Sequence, residues 1–291
     1  MKDYLYSRQK MVDQALDACL PAANTKPKTI HKAMRYSVFA GGKRLRPILS
    51  LAAAECCGGA TETAMPLACA VECIHTYSLI HDDLPCMDND DLRRGMPTSH
   101  KVFGEGIAVL AGDALLTFAF EVASQVAESP RYSLRNVIRE LAVACGSRNL
   151  IAGQLADLES EGKKVSLRLL RFIHESKTAA LLRSSIRLGG MSANAAPRDL
   201  EHLSKFGRAL GLAFQVIDDI LDVTQTSEKL GKSAGKDLAA EKATFPAVVG
   251  LGRSRKVAKQ FTEEAHLALR PIGRRAETLH GLADHLLNRD Y

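Results

Sequence analysis

Phe214-Gln215-Val216-Ile217-Asp218-Asp219-Ile220-Leu221-Asp222 sets three carboxylates into an otherwise apolar run. Read as a helix, it puts Asp218 and Asp222 four residues apart on one face, with Asp219 alongside. Carboxylates buried in such sequence are costly without a counter-ion, so the segment asks for a cation. Outward from it, apolar residues recur at helical intervals through about 196–224. Similar patterns lie at about 7–20, 29–39, 45–57, 62–83, 106–127, 131–145, 147–160, 165–189 and 254–289, the last broken near Pro271-Ile272-Gly273. No run alternates with the period of a strand. Gly41-Gly42, Gly58-Gly59, Pro85, Gly95-Met96-Pro97, Gly189-Gly190 and the stretch 231–236 mark the loops. With no repeat, low-complexity tract or linker, residues 1–291 read as one all-α domain, a bundle of about ten or more helices.

Composition narrows the class. Hydrophobic residues are 46% and charged residues 25%, which excludes a disordered chain and supports a sizeable core. The net charge of +6 attracts anions, but with no Trp, 5% aromatics and no uninterrupted Lys/Arg run, nucleic acid is a poor fit and a small, highly charged substrate a better one. Seven cysteines, two of them adjacent at Cys56-Cys57, argue against a full disulfide framework and for a reducing compartment. Cys69 and Cys73 near His75 lack a second Cys/His pair at zinc-site spacing and read as packed thiols. Met1-Lys2-Asp3-Tyr4 opens without an apolar signal region, and Glu72 and Asp113 break long apolar stretches. The expectation is a cytoplasmic protein with no membrane span.

A second acidic stretch answers the first. Ser78-Leu79-Ile80-His81-Asp82-Asp83-Leu84-Pro85-Cys86-Met87-Asp88-Asn89-Asp90-Asp91-Leu92-Arg93-Arg94-Gly95 brings five carboxylates and two guanidinium groups to the end of an apolar helix. Adjacent carboxylates repel unless a cation or Arg holds them together. Oxygen-only ligands suit Mg²⁺, which takes one or two carboxylates plus substrate phosphates. A solvated acidic loop is the bland alternative for this stretch alone; the distant partner cluster at Asp218-Asp219 favours two walls of one metal-diphosphate site. The basic residues are localised too: Gly41-Gly42-Lys43-Arg44-Leu45-Arg46-Pro47, Arg93-Arg94, Lys177-Thr178, Lys232 and Lys242. Arg binds phosphate oxygens bidentately and Lys acts as a point charge, so this set could hold two diphosphates.

On these motifs, with Gly153-Gln154, the chain resembles the short-chain trans-isoprenyl diphosphate synthases over nearly its whole length. Gly41 to Pro47 resembles the family's isopentenyl diphosphate-binding turn. Asp82-Asp83-Leu84-Pro85-Cys86-Met87-Asp88 resembles the first aspartate-rich motif in its form with two extra residues, and Asp218-Asp219-Ile220-Leu221-Asp222 the second. The resemblance implies a helical bundle around a central active-site cavity, usually as a homodimer. It implies that Lys43, Arg46, His75 and Arg94 bind isopentenyl diphosphate and that Arg93, Lys177, Thr178, Gln215, Lys232 and Lys242 hold the allylic diphosphate. Asp82, Asp88 and Asp218 would carry Mg²⁺, three ions bound together with the allylic diphosphate, with Asp83 and Asp222 as supporting ligands. Asp82, Asp83, Asp88, Arg93, Lys177 and Asp218 would form the catalytic set. The implied reaction is head-to-tail prenyl transfer with no protein nucleophile.

Product length turns on the helix entering Asp82. Each residue rises about 1.5 Å, so Ser78 lies roughly 6 Å and Tyr77 roughly 7.5 Å below Asp82, Ser78 on the same face and Tyr77 to the side. In the resembling family a bulky aromatic at the Tyr77 offset marks the bacterial farnesyl type, so the sequence expectation is farnesyl diphosphate, with geranylgeranyl diphosphate as the alternative. Tyr77 as an ordinary core aromatic is the plain reading. Two other classes fit less well: a His81-Asp82 metal phosphohydrolase, which would need more His ligands, and a non-catalytic helical regulatory subunit, which leaves two aspartate clusters without a reason.

Overall fold

In a computed structural model of the chain, described here for residues 1–224 and 243–287, nearly all regular structure is helical. The central helix α4 (Thr61–Asp82) is buried on most of its circumference, which a sequence apolar all round requires. Around it lie α1 (Lys2–Cys19), α2 (Lys28–Val38), α3 (Leu45–Cys56), α6 (Glu105–Ala123) and α10 (Ala180–Ser192). The long helix α11 (Pro197–Thr224) begins on a proline, where the missing N–H costs nothing, and packs against α13 (Leu251–Leu269) and α10. α12 (Phe245–Val249) precedes α13, and α14 (Glu277–Leu287) closes the described chain. Two apolar clusters result. One joins α1, α2, α4, α6 and α7 (Leu134–Cys145); the other joins α3, α10, α11, α13 and α14.

α6 is long and apolar enough to cross a membrane by length and composition alone, but 44% of its apolar window is buried in the bundle, chiefly against α4. All seven cysteines are free thiols.

Two features depart from the sequence expectation, and a third follows it. A two-residue antiparallel pair, Leu92–Arg93 with Met96–Pro97, turns at Arg94 and Gly95, both with positive φ, and α5 (Ser99–Phe103) follows it. The helix expected over 165–189 is interrupted: α9 (Leu167–Ile173) passes through a π-helical turn, His174–Ala179, before α10 resumes. Such wide turns occur mostly at functional sites. The C-terminal pattern does break where Pro271-Ile272-Gly273 suggested, at a 3₁₀ segment Arg270–Ala276 in which Gly273 leaves helical geometry.

Candidate active site

α4 delivers the first aspartates to its own C-terminus. Asp82 is its last residue and Asp83 its cap, at the end where the helix dipole is negative, so cations must compensate both. The following loop doubles back over this end: the Asp88 N–H donates to the Asp82 carbonyl at 2.8 Å, and the Asp90 N–H to the Asp83 carbonyl at 3.1 Å. The otherwise orphaned last-turn carbonyls are thereby satisfied, and Asp88 comes beside the helix end. The two adjacent aspartates then diverge. Asp82 faces a cavity of about 820 Å³, whereas Asp83 is only 4% exposed and receives Arg93 Nε at 3.0 Å on its Oδ1. Burial, opposed by Arg93, holds the Asp83 carboxyl above the usual range.

Asp218, from α11, lines the same cavity. Asp219 lines a smaller polar cavity beside it, accepting from the Phe245 N–H at 2.8 Å and from Gln215 Nε2 at 3.1 Å, with His174 Nε2 at 3.5 Å. Asp222 is buried and lines neither this cavity nor the smaller one beside it. The sequence placed Asp218 and Asp222 on one face; of the two, the structure turns only Asp218 to the cavity.

Lys177 and Thr178 come from the π turn. Their position depends on Gly153 of α8 (Leu150–Ser160), where an added Cβ would stand 2.7 Å from the Lys177 Cα. Lys177 Nζ donates to Asp157 Oδ2 at 2.6 Å, and Thr178 Oγ1 donates to Gln215 Oε1 at 2.9 Å. Lys177, Thr178, Gln215 and Asp218 line both the main cavity and an adjoining polar one of about 170 Å³ that also meets Asp157 and His174. His174 is 4% exposed, and burial, opposed by Asp157 and reinforced by Lys177, lowers its pKa to about 3.

The opposite side of the cavity mouth is basic. Arg46 and His75 line it. Burial depresses the Arg46 guanidinium to about 10, with Glu72 opposing and Arg94 adding to the effect, so it stays charged at neutral pH. Burial, then the Arg46 and Arg94 guanidiniums, holds His75 well below its usual value and therefore neutral. Arg94 crosses the Gly41-Gly42 turn, donating Nη1 to the Gly41 carbonyl, and a Cβ at Gly42 would collide with its guanidinium. Two basic motifs far apart in sequence thus meet in one patch. Lys43 is exposed at the same turn. Lys232 and Lys242 lie outside the described residues, as does the stretch 231–236.

Below the charged mouth the walls are apolar: Leu116, Leu150, Leu155, Leu158, Leu181 and Phe214. Tyr77 and Ser78 both reach this space, Tyr77 buried with its ring edge-on to His81 at 5.7 Å. His81 Nε2 lies 3.0 Å from the Val109 carbonyl, and among the described residues no cluster of three metal-ligating side chains forms. Sequence reading missed Asp157 and His174; the only signal for Asp157 was its place one helical turn after Gly153.

A family model for polyprenyl synthetases matches residues 27–270. The Arabidopsis thaliana heterodimeric geranylgeranyl pyrophosphate synthase large subunit 1, chloroplastic, is 55% identical over 268 residues, covering 90% of this chain and 72% of that protein. The Capsicum annuum chloroplastic geranylgeranyl pyrophosphate synthase is 50% identical over 292 residues, covering 99% of this chain and 79% of that one. The solved geranylgeranyl pyrophosphate synthetase of Pyrococcus horikoshii Ot3 superposes with a TM-score of 0.90 at 30% identity over 99% of both chains. Motif order, fold and these relatives agree: the chain belongs to the polyprenyl synthetase family.

Proposed function

We propose that the chain condenses isopentenyl diphosphate head to tail with allylic diphosphates and that its main product is geranylgeranyl diphosphate. The observation that carries the reaction is one cavity with Asp82 and Asp218 at its mouth, Arg46 and His75 on one side, Lys177 and Thr178 on another, and leucine walls beneath. Relatives 50–55% identical and named for the twenty-carbon product support that length over the farnesyl expectation.

Lys43, Arg46, His75 and Arg94 hold isopentenyl diphosphate; neutral His75 contributes as a hydrogen-bond donor and not as a charge. Arg93, Lys177, Thr178 and Gln215 take up the negative charge that grows on the allylic diphosphate as its C–O bond breaks. The donor set of Asp82, Asp88 and Asp218, oxygen only and unable to cage a cation by itself, fits Mg²⁺ shared with substrate phosphates, with Asp83 and Asp222 supporting. Mg²⁺ bound there supplies further charge neutralisation of the leaving group. The leucine walls and Phe214 exclude water, which would otherwise capture the allylic cation before the isopentenyl double bond does. The proton released on alkene formation passes to the departing diphosphate, which Lys177 and Thr178 keep in place.

A second reading, farnesyl diphosphate, draws on the Tyr77 ring, which stands in the cavity wall one and a half turns below Asp82. A homodimer that covers the outer face of α6, where Leu110 is 58% exposed, is part of either reading. Incubation with isopentenyl diphosphate, dimethylallyl diphosphate and Mg²⁺, followed by chromatography of the dephosphorylated products, tests the reading. Geranylgeraniol is expected; no alcohol longer than the starter would overturn the reaction, and farnesol as the end product would overturn the length.

A further inference from the structure

The basic turn carries one guanidinium too many for a substrate site. Arg44 stands between Lys43 and Arg46, yet it is 3% exposed and each of its three side-chain nitrogens has a partner. Nε donates to Asp13 Oδ1 of α1 at 2.7 Å, Nη1 to Glu72 Oε1 of α4 at 2.9 Å, and Nη2 to the Val38 carbonyl at the end of α2 at 2.7 Å. A rigid planar fork meets acceptors set in fixed directions on three helices, whereas the three donors of an ammonium radiate from a single nitrogen.

Its backbone is unusual as well. Arg44 adopts φ 49°, ψ 37°, the left-handed region that non-glycine residues rarely occupy, and it caps α3, its carbonyl accepting from the Ile48 N–H at 3.0 Å. Whatever holds Arg44 therefore sets where α3 starts and, two residues on, where Arg46 points. α1 adds a further tie next door, Gln9 Nε2 donating to the Gly42 carbonyl at 2.9 Å.

Glu72 completes the picture. It is 2% exposed, one turn before His75 on α4, so the acid that fixes Arg44 shares a helix face with a residue at the cavity mouth. Arg46 Nε and Glu72 Oε2 are buried without a hydrogen-bond partner among the described residues. Unlike Arg44, whose three nitrogens all have partners, Arg46 retains an unpartnered nitrogen as donor capacity for an anion.

We infer that Arg44 is a positioning residue of the isopentenyl diphosphate subsite: clamped by Asp13, Glu72 and the Val38 carbonyl, it holds the left-handed turn that presents Lys43 and Arg46, and it never touches substrate. The inference rests on the proposed assignment of that subsite. Charge alone is not its contribution, so Arg44→Lys, which keeps the charge and loses the fork, is the discriminating variant.

Steady-state kinetics with each substrate varied in turn, together with calorimetric titration of isopentenyl diphosphate, make the test. The KM and Kd for isopentenyl diphosphate should rise on the order of tenfold to a hundredfold in Arg44→Lys, since a misplaced binding group can cost about that much. The allylic KM should stay within about twofold. A fall in Tm or kcat with the isopentenyl KM unchanged would make Arg44 a plain strut and overturn the inference, as would an equal rise in both KM values. Should Arg44→Lys not fold, Asp13→Ala removes the clamp's more exposed partner and must raise the same KM selectively, or the inference fails. If the unsubstituted protein shows no isopentenyl-dependent diphosphate release, the functional reading falls, and the calorimetric comparison alone decides the role of Arg44.

Discussion

Arg93 reaches Asp83 with Nε 3.0 Å from Oδ1, while Asp82, its neighbour in sequence, faces the cavity. Adjacent carboxylates of one motif therefore have different surroundings: one meets a guanidinium inside the protein and the other lines the cavity. Their substitutions should differ in kind. Asp82→Ala is expected to abolish turnover with Tm unchanged or slightly raised, as repulsion at the helix end is relieved. Asp83→Ala strands Arg93 and should cost about 1–3 kcal/mol of stability as well as activity. Thermal unfolding and diphosphate release on the two variants check this; most activity surviving in Asp82→Ala would sink the metal-site assignment.

Gly153 lets α8 approach the π turn. A Cβ there meets the Lys177 backbone, so Gly153→Ala should destabilise by about 1–3 kcal/mol, in the range of overpacked cores. Because the displaced residue is Lys177, the allylic KM should rise while the isopentenyl KM holds, as substrate-by-substrate kinetics would show.

His174 titrates near 3 in the folded chain, far below its ordinary value of 6.5. The unfolded chain binds the proton more readily, so the stability contributed above pH 6.5 is lost as pH falls toward 3, by up to ~1.4 kcal/mol per pH unit. His75, also depressed, adds in the same direction. Tm should drop between pH 7 and pH 5, and His174→Gln should have a flatter slope. An unchanged slope would remove His174 as its source.

Tyr77→Ala opens the cavity wall without touching a charged group. Longer prenyl alcohols should appear in the product chromatogram whichever length the unsubstituted protein makes, with the metal dependence and both substrate KM values little changed. A product distribution identical to that of the unsubstituted protein would place the end of the tunnel elsewhere, among Leu116, Leu150 and Leu181.

What sequence alone determined was local. Helical periodicity named the long elements because α-helical hydrogen bonds close within four residues. The carboxylates at Asp82-Asp83 and Asp218-Asp219 stood out because apolar sequence around an acid is anomalous wherever the chain goes. The family followed from motif order. Other decisions depended on contacts between distant residues, which no local pattern encodes. Lys177 meets Asp157 across 20 residues, Thr178 meets Gln215 across 37, and Arg44 meets Glu72 across 28. The same Lys-Arg-Leu-Arg run could have presented either arginine outward. Only the packing of α1, α2 and α4 against that turn turned Arg44 inward, because three acceptors converge there and desolvating a guanidinium is tolerable only where such partners already stand.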